Sequence, residues 1–179
     1  MATDKIQILC YGDSNTWGYD PRGYFGGRYD EPWPSLLPWK IQNLGENGRE
    51  IPRFSVTFPE NTDLLIVMLG TNDLLQGGCA VTAAKRMVSF LTGTMLEPKK
   101  ILLIAPPPLK LGEWVSGTRL IEESRELTRQ YEVLSRRLGI RFADAGRWNI
   151  PLAFDGVHFT EEGHRAFAEN LINYLNKGE

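Results

Sequence analysis

Two cysteines and two histidines are all that the 179 residues provide. Cys10 and Cys79 form no C-x-x-C pair, so a disulfide framework is excluded and the cysteines alone cannot build a metal cluster. Both are expected to be buried, as small apolar residues. Charge of one sign is equally scarce. The 20 Lys plus Arg and 22 Asp plus Glu leave a formal net charge of −2, with no long run of either sign. Nucleic-acid binding needs a concentrated basic face to displace counterions, and is disfavoured. The first apolar stretch, Ile6 to Tyr11, follows Asp4 and Lys5 and is too short for a membrane span or a signal-peptide core. A cytoplasmic protein is therefore expected. Neither G-x-G-x-x-G nor a P-loop is present, and the G-x-S-x-G elbow of α/β-hydrolases is missing too.

What is present is ordinary globular material. Hydrophobic residues at 42% and charged residues at 23% suffice for one domain over the whole chain, residues 1–179. Residues 6–11, 63–69 and 100–105 are apolar runs ended by Gly12, Gly70 and Pro106, the pattern of strands covered on both faces. Residues 39–44 and 140–143 are weaker strands. A helix is predicted over 118–138, where Leu120, Leu127, Tyr131, Leu134 and Leu138 recur at helical steps before Gly139. A second should follow Thr160 as N-cap, with Glu161 and Glu162 against the helix dipole, and reach about Leu175. A third is placed around 80–92. Alternating strand and helix argues an open α/β sheet with helices on both faces, whose ligands bind at the carboxyl ends of strands.

Chemistry is therefore sought just after strands. Ser14 follows the first strand directly, a nucleophile's position, though a serine there is also a common turn former or helix cap. A serine hydroxyl needs a base, and the choice is between His158 and His164. His158 lies in a loop-like segment with Asp155 three residues upstream, close enough to accept an Nδ1–H hydrogen bond. His164 shares helical spacing with Phe167, Leu171 and Leu175 and reads as a packing residue. Donors for an oxyanion are offered by the Asn72 amide after the third strand and by the Gly45 backbone after the second. An Asx-turn and a simple turn glycine are their plainer readings.

Four separated blocks, GDSN at 12–15, Gly45, GTND at 70–73 and DGVH at 155–158, resemble those of the SGNH, or GDSL-type, esterase family. The resemblance implies a flavodoxin-like three-layer α/β/α sandwich with a five-stranded parallel sheet of order 2-1-3-4-5. It also implies ester hydrolysis through an acyl-serine intermediate, with no metal and no cofactor. By position, the nucleophile falls on Ser14 and the Asp-x-x-His pair on Asp155 and His158. The oxyanion donors fall on the Ser14 N–H, the Gly45 N–H and the Asn72 amide. GDSNTWG, with APPPL after the fourth strand, looks most like the small-acyl arylesterases and carbohydrate acetylesterases, whose partner is a small-molecule ester.

The chain departs from the family pattern at Asn15, which stands where the family name has leucine and is assigned to substrate preference. Only PSLLP separates Trp33 from Trp39, so the helix before the second strand is cut to about one turn. That side of the sheet is left exposed or covered by a neighbouring subunit of a homo-oligomer. Trp17, Tyr19, Tyr24, Phe25, Tyr29, Trp33 and Trp114 concentrate in connections 19–38 and 106–117 and beside Ser14, where an acyl or aryl group needs an apolar wall. Trp17 and Trp114 are the substrate contacts singled out. The competing reading is a non-catalytic flavodoxin-like module binding phosphate or flavin through Ser14, Asn15 and Thr16. Asp13 opposes it by charge.

Overall fold

The structure, a computed structural model, describes residues 6–23 and 25–177; Tyr24, Asp4 and Lys5 lie outside them. Five parallel strands form the sheet: β1 Gln7–Gly12, β2 Lys40–Gly45, β3 Leu64–Met68, β4 Ile101–Ala105 and β5 Arg141–Asp144. Their order is β2-β1-β3-β4-β5, as expected from the family pattern. The register sets Gly12 opposite both Gly45 and Met68. The three strands carrying the candidate residues thus end at one level, and the segments after them meet along a single edge.

Strand residues divide by parity, as a pleated sheet requires. Leu9, Tyr11, Leu65, Val67 and Leu103 face one side, where they pack with helices α3 (Ala80–Gly93) and α4 (Thr118–Leu138) through Met87, Phe90, Leu127 and Tyr131. Ile8, Cys10, Ile66, Met68 and Ile104 face the other, against Trp33 and Phe167, Ala168 and Leu171 of α5 (Glu161–Lys177). Three layers result. Two short helices, α1 (Ser14–Trp17) and α2 (Thr71–Leu75), begin the segments that follow β1 and β3.

The reading of the elements stands with small shifts. α4 ends at Leu138 because Gly139 adopts φ 67°, and its N–H closes on Arg136. Thr160 caps α5 through its hydroxyl, which accepts from Gly163 N–H at 3.0 Å. The shortened segment before β2 is a 3₁₀ turn, Trp33–Leu36. Trp33 is fully buried against Phe167, so it belongs to the core and does not line a substrate wall. The expectation for Cys79 is corrected. Cys10 is buried, but Cys79 is exposed at the start of α3, where its sulfur sits 3.3 Å from the Thr82 hydroxyl.

His164 is a packing residue, as its spacing predicted. It is fully buried, its Nδ1 accepts from Trp33 N–H at 3.2 Å, and its ring touches those of Tyr29 and Phe159. Burial pushes its imidazole down to about 4 from the ordinary 6.5. Between those two pH values the unfolded chain binds a proton here that the native chain does not. The stability from neutral His164 is complete above the upper value and is lost as pH falls, by roughly 3 kcal/mol. The buried Asp13 carboxyl, raised by burial to about 6, works in the opposite direction over part of this range. The measure is therefore the difference between wild type and His164→Asn in urea unfolding from pH 7 to 4. The wild type is expected to lose roughly 3 kcal/mol relative to the variant; parallel curves would show that His164 is not held neutral.

Candidate active site

The turn that carries Ser14, the candidate nucleophile, is built by its neighbours. Asp13 caps α1, its carboxylate accepting from Asn15 N–H at 3.0 Å and its carbonyl from Thr16 and Trp17 N–H. Gly18, at φ 101°, closes the single turn. Ser14 therefore occupies the first helical position, where a backbone N–H has no intrahelical acceptor. Ser14 Oγ lies 3.0 Å from His158 Nε2, and His158 Nδ1 lies 2.6 Å from Asp155 Oδ2. All three residues are buried.

Asp155 does more than meet the imidazole. Its Oδ1 accepts from Val157 N–H and His158 N–H, both at 2.9 Å, so one carboxylate shapes the turn and orients the ring. Burial pushes its pKa up, but the hydrogen bonds from the His158 ring, the His158 N–H and the Val157 N–H outweigh this. The group is held below the usual carboxylate range. A buried, ionised Asp155 fixes the tautomer with hydrogen on Nδ1, leaving the Nε2 lone pair toward Ser14.

A strap from the β4–α4 connection lies along this loop. Lys110, Glu113 and Trp114 donate backbone N–H groups to the carbonyls of Gly156, Phe154 and Asp155. The approach is close enough that a Cβ on Gly156, itself at φ 79°, would lie 2.0 Å from Lys110 O. The strap brings the Trp114 ring edge-on to His158 at 5.0 Å, while Tyr19 packs on it at 4.6 Å. Trp114 remains 51% exposed, so it walls the His158 ring on one side and meets solvent on the other. The role of Tyr19 beside the base had no sequence signal beyond its aromatic character. Trp17 is half-buried with the Arg28 guanidinium over its ring at 5.1 Å.

The oxyanion candidates gather around Arg49. Its guanidinium stacks on Tyr11 at 4.2 Å and donates to the carbonyls of Gly12 and Leu44, and its own carbonyl accepts from Asn72 Nδ2 at 3.1 Å. One residue thus ties the ends of β1 and β2 to Asn72, whose amide keeps its second hydrogen for another acceptor. Gly45 is placed differently from the expectation. Its N–H already donates to Asn43 Oδ1 at 2.8 Å, and a Cβ on it would lie 2.2 Å from Trp17 N. The observed demand on this glycine is to let α1 pass close by. Three residues on, Gly48 adopts φ 74° on an exposed loop with open space beside its α-carbon. No described residue accepts from its N–H. The positive φ had no sequence cue except the glycine itself.

Asn15 is also corrected. It is buried, and both ends of its side chain are engaged with the base loop: Nδ2 donates to Val157 O at 3.1 Å and Oδ1 accepts from Phe159 N–H at 2.9 Å. It is not free to contact substrate. Among the described residues, no three His, Cys, Asp or Glu gather where they could hold a metal ion, and no helix is long and apolar enough to cross a membrane.

The profile of the GDSL-like lipase/acylhydrolase family matches residues 10–166. Among solved structures, a protein of Agrobacterium tumefaciens assigned as an arylesterase superposes with TM-score 0.79 at 29% identity, covering 96% of this chain and 98% of its own. The M. smegmatis aryl esterase gives 0.79 at 26%, over 96% and 98%. A carbohydrate acetylesterase family member from Sinorhizobium meliloti gives 0.77 at 29%, over 96% and 97%. No curated protein sequence matches the chain.

Proposed function

Because the chain belongs to the GDSL-like lipase/acylhydrolase family and is a carboxylic ester hydrolase, we propose that it cleaves short-acyl esters through an acyl-serine on Ser14. The observation that carries this is the unbroken sequence Ser14 Oγ to His158 Nε2 and His158 Nδ1 to Asp155, at 3.0 and 2.6 Å. Ser14 Oγ attacks the ester carbonyl as its proton passes to His158 Nε2, and the negative charge moves onto the carbonyl oxygen. The tetrahedral intermediate collapses as His158 returns the proton to the leaving alcohol. A water then attacks the acyl-serine, giving its proton to the same nitrogen, and Ser14 is restored as the acid leaves.

The oxyanion is assigned to the Ser14 N–H and the Asn72 amide. The third position is assigned to the Gly45 N–H, which has to exchange away from Asn43 Oδ1 to serve it. The short-acyl assignment is supported by the acetylesterase among the similar structures and by the burial of Ser14, Asn15 and His158. Trp114 and Trp17 are assigned to the alcohol side, where an aryl or sugar ring meets an aromatic wall.

The reading is tested with p-nitrophenyl and naphthyl esters of graded acyl length alongside acetylated sugars. Turnover should be greatest for acetyl and propionyl groups, and folded protein inactive on every ester would sink the proposal. Asn72→Ala is expected to lower kcat about 100- to 1,000-fold with KM little changed, the effect of losing one oxyanion donor. Wild-type kcat on the best substrate would remove Asn72 from the site.

A further inference from the structure

We propose that Asn15 is a positioning residue that sets the distance between nucleophile and base by tying their two loops together. The inference rests on the esterase reading of Ser14 and His158. Asn15 follows Ser14 in the turn that caps β1, yet its amide bonds both residues that flank His158, donating to Val157 O and accepting from Phe159 N–H. Those partners lie 142 and 144 positions away in the chain.

The base loop is thereby held from two directions. Within the loop, Asp155 takes the N–H groups of Val157 and His158, and Ala153 donates to His158 O at 2.7 Å. These bonds shape the loop, and the 110–114 strap ties it to the β4–α4 connection, but none of them joins it to the turn that carries Ser14. Asn15 supplies the cross-link, and because it is only 4% exposed, no water can substitute without opening the site. With one backbone step between Ser14 and Asn15, a shift of the loop is transmitted directly to the 3.0 Å separation of Oγ and Nε2. A leucine here would leave a carbonyl and an N–H buried without partners and let the loop relax away.

The test compares Asn15→Leu, which loses donor and acceptor, with Asn15→Asp, which keeps the size and the acceptor. With p-nitrophenyl acetate, Asn15→Leu is expected to show kcat lower by about 100-fold, the scale of a misplacement near 1 Å, with KM within about twofold. Asn15→Asp should fall between it and wild type. The rate at which a fluorophosphonate labels Ser14 should follow the same order, since labelling needs the Ser14–His158 pair and no ester. If circular dichroism shows Asn15→Leu unfolded, Asn15→Asp carries the comparison. A folded variant with wild-type kcat and labelling rate overturns the proposal. So does a raised KM with unchanged kcat, which would make Asn15 a substrate contact. A wild type that neither hydrolyses the ester nor takes the label overturns the esterase reading, and this inference with it.

Discussion

Replacing His158 by alanine is expected to lower ester turnover by about 10⁶-fold, the scale seen when a serine hydrolase loses its base. Replacing His164 by alanine should leave kcat within about twofold while lowering stability by about 2 kcal/mol. The contrast follows from where each ring points. His158 sets Nε2 against Ser14 Oγ and Nδ1 against Asp155. His164 has Nδ1 taken by the Trp33 backbone, while its buried Nε2 finds no partner among the described residues. Kinetics and thermal midpoints of both variants decide the matter: an active His158→Ala protein, or a stable and inactive His164→Ala protein, would place the base on the wrong residue.

The second large effect is expected at Asp155. Asp155→Asn conserves shape, and its amide oxygen can still accept from Val157 and His158 N–H, so the loop should fold. The other end of the side chain then presents an NH₂ group to Nδ1, where the native carboxylate accepts a hydrogen bond from Nδ1–H. Two donors cannot share that contact. The imidazole is driven to the tautomer with hydrogen on Nε2, which faces Ser14 as a donor and cannot act as a base. A fall in kcat of about 10⁴-fold follows, as for the same exchange in a serine-protease triad. Because the native carboxyl is held ionised well into acid, the loss should be present at every pH where the wild type works. Stopped-time assays from pH 5 to 9 check this, and recovery of activity at any pH in that range would contradict the tautomer argument.

Much of this was legible in the sequence because the relevant physics is local. Strands covered on both faces must be apolar at consecutive positions, and 63–69 and 100–105 locate Leu64–Met68 and Ile101–Ala105 to within two residues. Gly139 ends α4 because its left-handed conformation is cheap only for glycine. Asp155 and His158 could be paired because three residues of loop keep them in reach. Long-range closure was not legible. Asn15 looks like a variant residue beside a nucleophile until Val157 and Phe159 arrive from the far end of the chain. Gly45 reads as a donor until Asn43, two residues earlier, takes its N–H. Cys79 has the composition of a core residue but stands on an exposed corner before α3. Trp33 sits among aromatics that suggested a wall, yet α5 folds over it.

The distance along the chain between Ser14 and His158 also orders events during synthesis. The ribosome releases the nucleophile turn first, and all five strands are complete by Asp144. Both histidines come later, at 158 and 164. A product terminated between Asp144 and His158 carries Ser14, Gly45, Asn72 and every strand of the sheet, but contains no imidazole at all. Copies cut short there lack the proposed proton acceptor, and on the esterase reading reactivity is switched on only when the segment carrying His158 has been made and has docked.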